Sequence, residues 1–153
     1  METQVGINPI LKYNKNGQLL KEEWSFNNKF HRIDGPAEQK WYKTGRKNYE
    51  LWYLNGVYHR ENGPSENWWF NDGNDEFRSW HINGKLHRIN GPAVYRWDQK
   101  GKLIYELWFI NGNRFPLDKV EDYKKWLIDY NLTKKNYSQW TDDERVLWRL
   151  TWV

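Results

Sequence analysis

Residues 80–93 read WHINGKLHRINGPA, and this stretch decides the fold because similar stretches occupy residues 52–65 (WYLNGVYHRENGPS) and 24–37 (WSFNNKFHRIDGPA). Each copy begins 28 residues after the previous one. A fourth copy starts at Trp108, but Phe115 replaces its His and a proline replaces its Arg, so the pattern ends there. Tandem copies at a fixed interval predict a repeat architecture in which each unit packs against its neighbours.

Turn residues divide each unit into short strands. Asn-Gly pairs are the favoured two-residue hairpin turn, which needs positive φ at both residues. They occur at 55–56, 83–84 and 111–112, and Asn27-Asn28 is a weaker form. A Gly-Pro pair follows at 35–36, 63–64 and 91–92, where we expect Gly to supply an unusual dihedral angle. A third turn ends at Gly45, Gly73 and Gly101. The sequence therefore predicts a mainly β fold of 28-residue antiparallel hairpin repeats.

A two-residue hairpin loop also fixes which residues face each other. Around Asn55-Gly56, Leu54 should face Val57, Tyr53 should face Tyr58 and Trp52 should face His59. The same register pairs Trp24 with His31 and Trp80 with His87. Alternation along a strand predicts a core face made of Trp24 with Phe26, Trp52 with Leu54, Trp80 with Ile82 and Trp108 with Ile110. On the partner strand we expect Trp41, Trp69 and Trp97 to stack in file from repeat to repeat.

The chain divides into a lead-in at residues 1–10, a repeat array at 11–115 and a helical C-terminal cap at 116–153, all within one domain. Asp118 with Glu121, and Thr141 with Glu144, have the spacing of helix capping boxes. Helical spacing predicts two buried stripes, which are Val120, Tyr123, Leu127 and Tyr130 in the first helix and Val146, Leu147 and Leu150 in the second. Such helices would cover the open end of the sheet.

Composition narrows the chemistry. The 153 residues include no cysteine, which excludes disulfides, thiolate catalysis and Cys-based zinc sites. We find no secretory leader, no membrane-spanning run, no G-x-S-x-G and no glycine-rich phosphate loop, so we expect a cytoplasmic protein that is not an enzyme and needs no cofactor. The net charge of +4 is a mild bias towards anionic partners. Its 12 Trp, 10 Tyr and 6 Phe must supply much of the core.

The repeated W-x-x-N-G-x-x-H-R-x-x-G-P-A motif resembles the short β-repeat proteins that large DNA viruses encode in multiple copies and that phage-like genomes also contain. It is more distantly similar to the MORN repeat, whose units also run strand, Gly turn, strand. Here an Arg follows the His where MORN units have Gly, which argues against the lipid binding and membrane tethering proposed for MORN arrays. The resemblance implies a MORN-like open meander sheet that serves as an interaction module. It also implies a viral or phage accessory protein that engages a host protein in the host cell cytoplasm.

The pairs His31-Arg32, His59-Arg60 and His87-Arg88 are the candidate functional residues. Strand alternation predicts that each His lies on the Trp face and each Arg on the opposite face. In a structural interpretation, each His bonds a turn or neighbouring strand, and each Arg braces a loop or pairs with a carboxylate, as Arg32 could with Glu23. In this interpretation Trp24, Trp52, Trp80 and Trp41, Trp69, Trp97 complete a structural ladder. Metal binding is not expected, because consecutive His residues would be at least two strand spacings, roughly 10 Å, apart.

The alternative interpretation is an anion site. Three Arg on one face, with Tyr53, Tyr58, His81, Tyr95 and Phe109 between them, would suit a phosphate-bearing ligand whose base stacks on a ring. Three function classes therefore remain open: a module that binds a host protein, a protein that sequesters a nucleotide or another small phosphorylated molecule, and a weak binder of single-stranded nucleic acid. Steep salt dependence would favour the third class.

Overall fold

The computed structural model describes residues 8–133, 135 and 139–152. Its largest element is an antiparallel sheet of eight strands. The bounds are β1 Ile10–Tyr13, β2 Leu19–Glu23, β5 Glu38–Trp41, β6 Lys47–Leu51, β9 Glu66–Trp69, β10 Asp75–Ser79, β13 Val94–Trp97 and β14 Leu103–Leu107. Their spatial order is their chain order, so the sheet is a meander with β1 and β14 at its two edges. The first seven residues of the predicted lead-in lie outside the described residues.

A small hairpin follows every second strand of the sheet. The hairpins are β3 Ser25–Phe26 with β4 Lys29–Phe30, β7 Tyr53–Leu54 with β8 Val57–Tyr58, β11 His81–Ile82 with β12 Lys85–Leu86, and β15 Phe109–Ile110 with β16 Asn113–Arg114. The predicted pairs Leu54–Val57 and Tyr53–Tyr58 are confirmed. The His59 N–H donates to the Trp52 carbonyl at 3.1 Å, so these two residues also face each other as predicted.

The hairpin turns adopt the conformation that their sequences predict. Asn55 and Gly56 have φ of 53° and 85°, and the other two Asn-Gly turns are alike. Asn27 and Asn28 hold φ of 48° and 59° without a glycine. Asn tolerates the left-handed region better than other residues with a Cβ, which explains why the first turn keeps the same geometry.

Neighbouring hairpins are joined to each other. The Arg32 N–H donates to the Tyr53 carbonyl at 3.1 Å, and the Gly56 N–H donates to the Phe30 carbonyl at 2.8 Å. Equivalent bonds join the second hairpin to the third and the third to the fourth. The hairpins thus form their own row of units beside the sheet, and each unit depends on the next one for its backbone hydrogen bonds.

The strand register sorts the central residues of the sheet into rows on its two faces. One row contains Glu23, Glu38, Leu51, Glu66, Ser79, Val94 and Leu107. The adjacent row contains Glu22, Gln39, Glu50, Asn67, Arg78, Tyr95 and Glu106. Since adjacent residues of a strand point to opposite faces, the first row and the second row lie on different sides of the sheet. We call these the Glu38 face and the Glu50 face.

The C-terminal part is a 3-10 turn, Leu117–Lys119, followed by the helices α1 Val120–Asp129 and α2 Asp142–Trp152. The capping box predicted at Asp118 is wrong, because α1 begins after Lys119 without a side-chain cap. The box predicted at Thr141 is confirmed: Thr141 Oγ1 accepts from the Glu144 N–H at 3.2 Å, and Glu144 Oε2 accepts from the Thr141 N–H at 2.7 Å.

The predicted core face along the Trp residues is confirmed only in the last repeat, where Trp108 is buried and Ile110 packs against the core, whereas Trp24, Trp52 and Trp80 are half-buried. The main hydrophobic core lies between the last repeat and the helices. Its buried members are Ile89, Trp108, Phe115, Val120, Tyr123, Leu127, Leu132, Trp140 and Trp148. Phe26, predicted in the core, is 48% exposed. In the helical stripes, Tyr130 and Val146 are exposed and Trp148 is buried in place of Val146. The side chain of Leu150 lies outside the described residues.

Candidate functional site

In each of the three complete repeats, the Arg of the motif folds back over the Trp of the same repeat. The guanidinium carbons of Arg32, Arg60 and Arg88 lie 4.2, 3.8 and 4.0 Å from the ring centres of Trp24, Trp52 and Trp80. The prediction that Arg and Trp occupy opposite faces is therefore wrong. The strand ends at the residue before the His, so simple alternation no longer governs where the Arg side chain points. Stacking of a cation on an indole ring is favourable and leaves the guanidinium edge available for hydrogen bonds.

The Gly-Pro pair of the motif also contacts the Arg side chain. Arg60 Nη1 donates to the Pro64 carbonyl at 3.0 Å, and Arg88 Nη1 donates to the Pro92 carbonyl at 3.1 Å. A Cβ on Gly63 would lie 3.0 Å from Cζ of Arg60. Gly63 is not among the residues with positive φ, so the expected reason for glycine, an unusual dihedral, is wrong here. Glycine is needed because the guanidinium occupies the space of its side chain.

The arginines of the first two repeats are balanced by glutamates of the Glu50 face. Arg32 Nη1 lies 3.5 Å from Glu22 Oε1, and Arg60 Nη1 lies 3.8 Å from Glu50 Oε1. The expected partner of Arg32 was Glu23, one residue later, and that expectation is wrong because Glu23 belongs to the other face and pairs with lysines. The Arg–Glu pair therefore recurs after 28 residues, and its acid is the glutamate one position before the predicted one.

The last repeat lacks an Arg, and helix α1 supplies a substitute cation. Lys124 Nζ lies 5.7 Å from the ring centre of Trp108 and 3.4 Å from Glu106 Oε1. Hydrogen bonds that Lys124 donates to the carboxylates of Glu121 and Glu106 raise the pKa of Lys124. The repeated unit of Trp, cation and glutamate thus continues into a copy whose own sequence has lost the cation.

The third repeat breaks this charge pattern. Arg78 stands at the position of Glu22, Glu50 and Glu106, and it bonds both carboxylate oxygens of Asp75 at 2.6 Å. Within the described residues, Arg88 forms no ion pair with a carboxylate; its side chain bonds Asn90 Oδ1 at 3.3 Å and the Pro92 carbonyl, and it interacts with the Tyr95 hydroxyl. Burial lowers the pKa of Arg88, the Tyr95 hydroxyl raises it, and the positive charge of Arg78 lowers it. Arg88 is therefore a partly buried cation that lacks the carboxylate partner of the equivalent arginines.

A cleft of about 610 Å³ opens beside this uncompensated arginine. Loop 60–64 of the second repeat, loop 87–90 of the third and the end of α2 form its walls. Among the described residues that line it, Arg60, Arg88 and Arg149 are the cations and Glu61 is the one acid. The indoles of Trp80 and Trp148 line it together with asparagines 62, 90 and 111. The cleft combines flat apolar surface with an excess of two positive charges.

The His residues connect neighbouring repeats and leave little side-chain chemistry free. The backbone N–H of Asn55 donates to His31 Nδ1 at 3.1 Å, and that of Asn83 donates to His59 Nδ1 at 3.2 Å. His87 Nδ1 accepts from Asn111 in the same way at 3.0 Å. His31 Nδ1 and His59 Nδ1 also lie 2.9 and 3.0 Å from Oδ1 of the same asparagines, so the turn of the next repeat engages this ring nitrogen through both its backbone and its side chain. Burial lowers the pKa of His87.

The aromatic residues proposed for the anion site do not all accompany the arginines. Tyr53 and Tyr58 stack at 4.4 Å, and Tyr58 stacks on His81 at 5.0 Å. His81 Nδ1 lies 2.8 Å from Ser65 Oγ and 3.4 Å from Ser79 Oγ, which places this stack on the Glu38 face. Tyr95 is on the Glu50 face, 6.0 Å from the Arg88 guanidinium. Phe109 contributes its carbonyl, which accepts from the Arg88 N–H.

The predicted file of stacked tryptophans is not formed. Within the described part of the chain, no ring pairing joins Trp41, Trp69 and Trp97 to one another; Trp97 stacks on Tyr95 instead, at 5.3 Å. Among the same residues, no group of three or more His, Asp or Glu side chains gathers at a distance suited to a metal ion.

Sequence reasoning missed the residues that give the cleft its character. The sequence shows Arg78 at the position that is Glu in the other repeats, but what this change does to Arg88 could be recognised only once Arg88 was found over Trp80. Arg149 and Trp148 come from a helix that shares no pattern with the repeats, so their approach to the third repeat has no local signal. Lys124 was likewise unpredictable, since it lies eight residues after Pro116, which occupies the Arg position of the motif in the last repeat.

No protein-family model, curated protein or solved structure matches this chain. Over the described residues, neither helix is both long and apolar enough to cross a bilayer.

Proposed function

We propose that this protein is a non-enzymatic binding module whose cleft takes a small phosphorylated ligand, such as a nucleotide. The observation that supports this most is the charge state of the third repeat. Among the described residues Arg88 has no carboxylate partner, whereas the equivalent cations pair with Glu22, Glu50 and Glu106. A partly buried guanidinium without a carboxylate gains most from a bound anion, and the planar guanidinium edge matches the oxygens of a phosphate group.

The dimensions of the cleft agree with a ligand of this class. Clefts that hold small molecules are typically about 300–1,000 Å³ and combine apolar walls with a few polar groups. The Trp80 and Trp148 rings supply the apolar surface, while Arg60 and Arg149 add cations to Arg88. Arg149 is exposed and comes from the end of α2, so it can approach a ligand without giving up a structural contact in the repeats.

Binding fits the cleft better than catalysis does. Of the groups that commonly transfer protons, the lining contains Glu61 and His87. His87 Nδ1 already accepts from the Asn111 N–H, and Glu61 is exposed. General acid–base catalysis needs a positioned group whose pKa is near the working pH, and burial moves the pKa of His87 further below that range.

Isothermal titration with adenosine diphosphate and with inorganic pyrophosphate tests the proposal. Arg149→Ala should weaken binding about tenfold, because a charge-assisted hydrogen bond contributes about 1.5–3 kcal/mol and 1.4 kcal/mol is tenfold in affinity. Lys125→Ala is the matched control, since Lys125 is an exposed cation on the other helix and does not line the cleft. The proposal fails if neither probe binds, or if both variants weaken binding equally. Binding of oligonucleotides alone, with steep salt dependence, would support the single-stranded nucleic-acid alternative.

A protein partner is the second candidate function. The observation that favours it is a set of exposed apolar side chains on the hairpins and their loops, in which Phe26 is 48%, Ile33 55% and Val57 45% exposed. The motif's resemblance to viral repeats suggests the kind of partner, a host protein engaged in the host cytoplasm by a MORN-like accessory protein of a virus or phage. Co-purification from the natural host with the native chain, and its loss in Ile33→Lys, would support this candidate. Retention of the same partner by that variant would count against it.

A further inference from the structure

The sheet has two unlike edges. Within the described residues, β1 pairs with β2 alone and β14 pairs with β13 alone. Both edges carry exposed apolar side chains. On β1, Ile10 is 57%, Leu11 40% and Tyr13 56% exposed; on β14, Leu103 is 42%, Ile104 58% and Tyr105 42% exposed. Unprotected apolar edge strands are available to pair with another chain.

The two edges correspond to the two sides of a junction that the protein already forms three times. The strand β2 pairs with β5, β6 with β9 and β10 with β13, each through three consecutive residues. The strand β14 lies 28 residues after β10 and is its counterpart, while β1 lies 28 residues before β5 and is its counterpart. One end of the molecule therefore presents the first half of the junction, and the other end presents the second half.

We infer that β14 of one chain pairs with β1 of a second copy, which continues the antiparallel sheet from molecule to molecule. The register of the internal junctions, in which Tyr49 faces Trp68 and Leu51 faces Glu66, transfers directly. It places Tyr105 opposite Lys12, Glu106 opposite Leu11 and Leu107 opposite Ile10. Continued by one residue, it brings Ile104 towards Tyr13, so the most exposed apolar residue of β14 meets an exposed ring.

The helical cap does not occupy this edge. Lys124 contacts Trp108 and Glu106 as Arg60 contacts Trp52 and Glu50, and in the internal repeat the next strand still pairs alongside that unit. Leu11 cannot donate to Glu106 as Asn67 donates to Glu50, but Lys124 already holds the Glu106 carboxylate. The helices pack on the last hairpin, and β1 has no preceding hairpin among the described residues that would compete for the same space.

Such a contact joins different surfaces of the two chains. Repetition of a contact of this kind generates a ring if it closes and an open series if it does not. The native protein should therefore show a weight-average mass that rises above that of one chain with concentration in analytical ultracentrifugation. A single-chain mass at the highest soluble concentration would overturn the inference.

Two edge variants separate this arrangement from other self-association. Ile104→Lys should block the β14 edge, and Leu11→Glu should block the β1 edge because it places a second carboxylate opposite Glu106. Each variant alone should therefore be monomeric. An equal mixture of the two should form a discrete dimer, because each variant retains the edge that the other lacks. Val57→Lys is the matched control, since Val57 is an exposed apolar residue away from both edges, and it should assemble like the native chain. Assembly that survives Leu11→Glu, or a mixture that remains monomeric, would contradict the inference.

A covalent trap tests the register. The chain has no cysteine, so Tyr105→Cys in one preparation and Lys12→Cys in another introduce single thiols at positions predicted to be opposite. Opposed residues of an antiparallel pair have Cα atoms about 4.5–5.5 Å apart, within the range that a disulfide spans. Oxidation of the mixture should give mainly the mixed dimer. A mixed yield no greater than that of Tyr105→Cys with Val57→Cys would refute the proposed register.

Discussion

Replacing Gly63 by Ala should destabilise the protein only while Arg60 is present. The new Cβ would lie 3.0 Å from Cζ, 3.1 Å from Nε and 3.3 Å from Nη1 of Arg60, so the guanidinium must shift by a few tenths of an ångström. This shift weakens its contacts with the Trp52 ring and the Pro64 carbonyl. A cation–π contact contributes about 0.5–2 kcal/mol, and a hydrogen bond from a charged donor about 1.5–3 kcal/mol. Because both contacts are weakened and not broken, and the Arg60 side chain is 26% exposed, we expect a loss of about 1 kcal/mol.

Equilibrium urea unfolding of a double-mutant cycle measures this coupling. In the Arg60→Ala background there is no guanidinium to displace, and Gly63→Ala should be neutral or stabilise by up to about 1 kcal/mol through the unfolded chain. Gly91→Ala provides a graded comparison: its Cβ would lie 3.2 Å from the nearest Arg88 atom, so its effect should be smaller than that of Gly63→Ala. An equal loss for Gly63→Ala with and without Arg60 would show that glycine is required by the backbone and would refute the explanation.

Three further predictions concern the ladder and the cap. Acidification should destabilise the protein, because burial lowers the pKa of His87 in the folded state below the unfolded value of about 6.5. The contribution of His87 to stability is therefore full above that pH and is lost as the pH falls. In His87→Gln the urea midpoint should depend less on pH between about pH 7 and 5. Lys124→Ala should lower the free energy of unfolding by about 1 kcal/mol or less, since the side chain is 38% exposed, and Lys124→Arg should keep the wild-type stability in thermal melts. A Lys124→Ala protein as stable as wild type would contradict the role of Lys124 as the substitute cation. Thr141→Ala should lower the free energy of unfolding by about 1 kcal/mol because it removes the cap of α2. Unchanged helical circular dichroism and an unchanged melting temperature would show that the cap does not stabilise the helix.

Much of the fold could be predicted because its determinants are local. Asn55 and Gly56 specify a turn by their own dihedral preferences, and the turn then fixes that Tyr53 faces Tyr58. The 28-residue spacing carries the same argument from one unit to the next. None of these steps requires knowledge of distant parts of the chain.

The position of the core and the face of the arginines could not be predicted in the same way. Alternation holds inside a regular strand, but Arg60 follows the end of β8 and turns back over its own Trp. Trp148 and Lys124 reach the repeats from helices whose approach is set by tertiary packing. Of the residues that line the cleft, Arg60 and Arg88 were proposed from the sequence as ligand contacts and Trp80 as a structural residue. Tyr53 and Tyr58, proposed beside the arginines, do not line the cleft, and Arg149 was missed.

The most direct test of the proposed function is a two-dimensional NMR titration of the native protein with inorganic pyrophosphate at constant ionic strength. Binding in the cleft predicts saturable shifts of the indole N–H signal of Trp80 and of the Arg88 Nε–H signal. The Trp24 and Arg32 signals should stay in place, since the same stack in the first repeat has its own carboxylate and lies outside the cleft. Absence of saturable shifts at Trp80 and Arg88, or equal shifts in the first repeat, would contradict a phosphate site in the cleft.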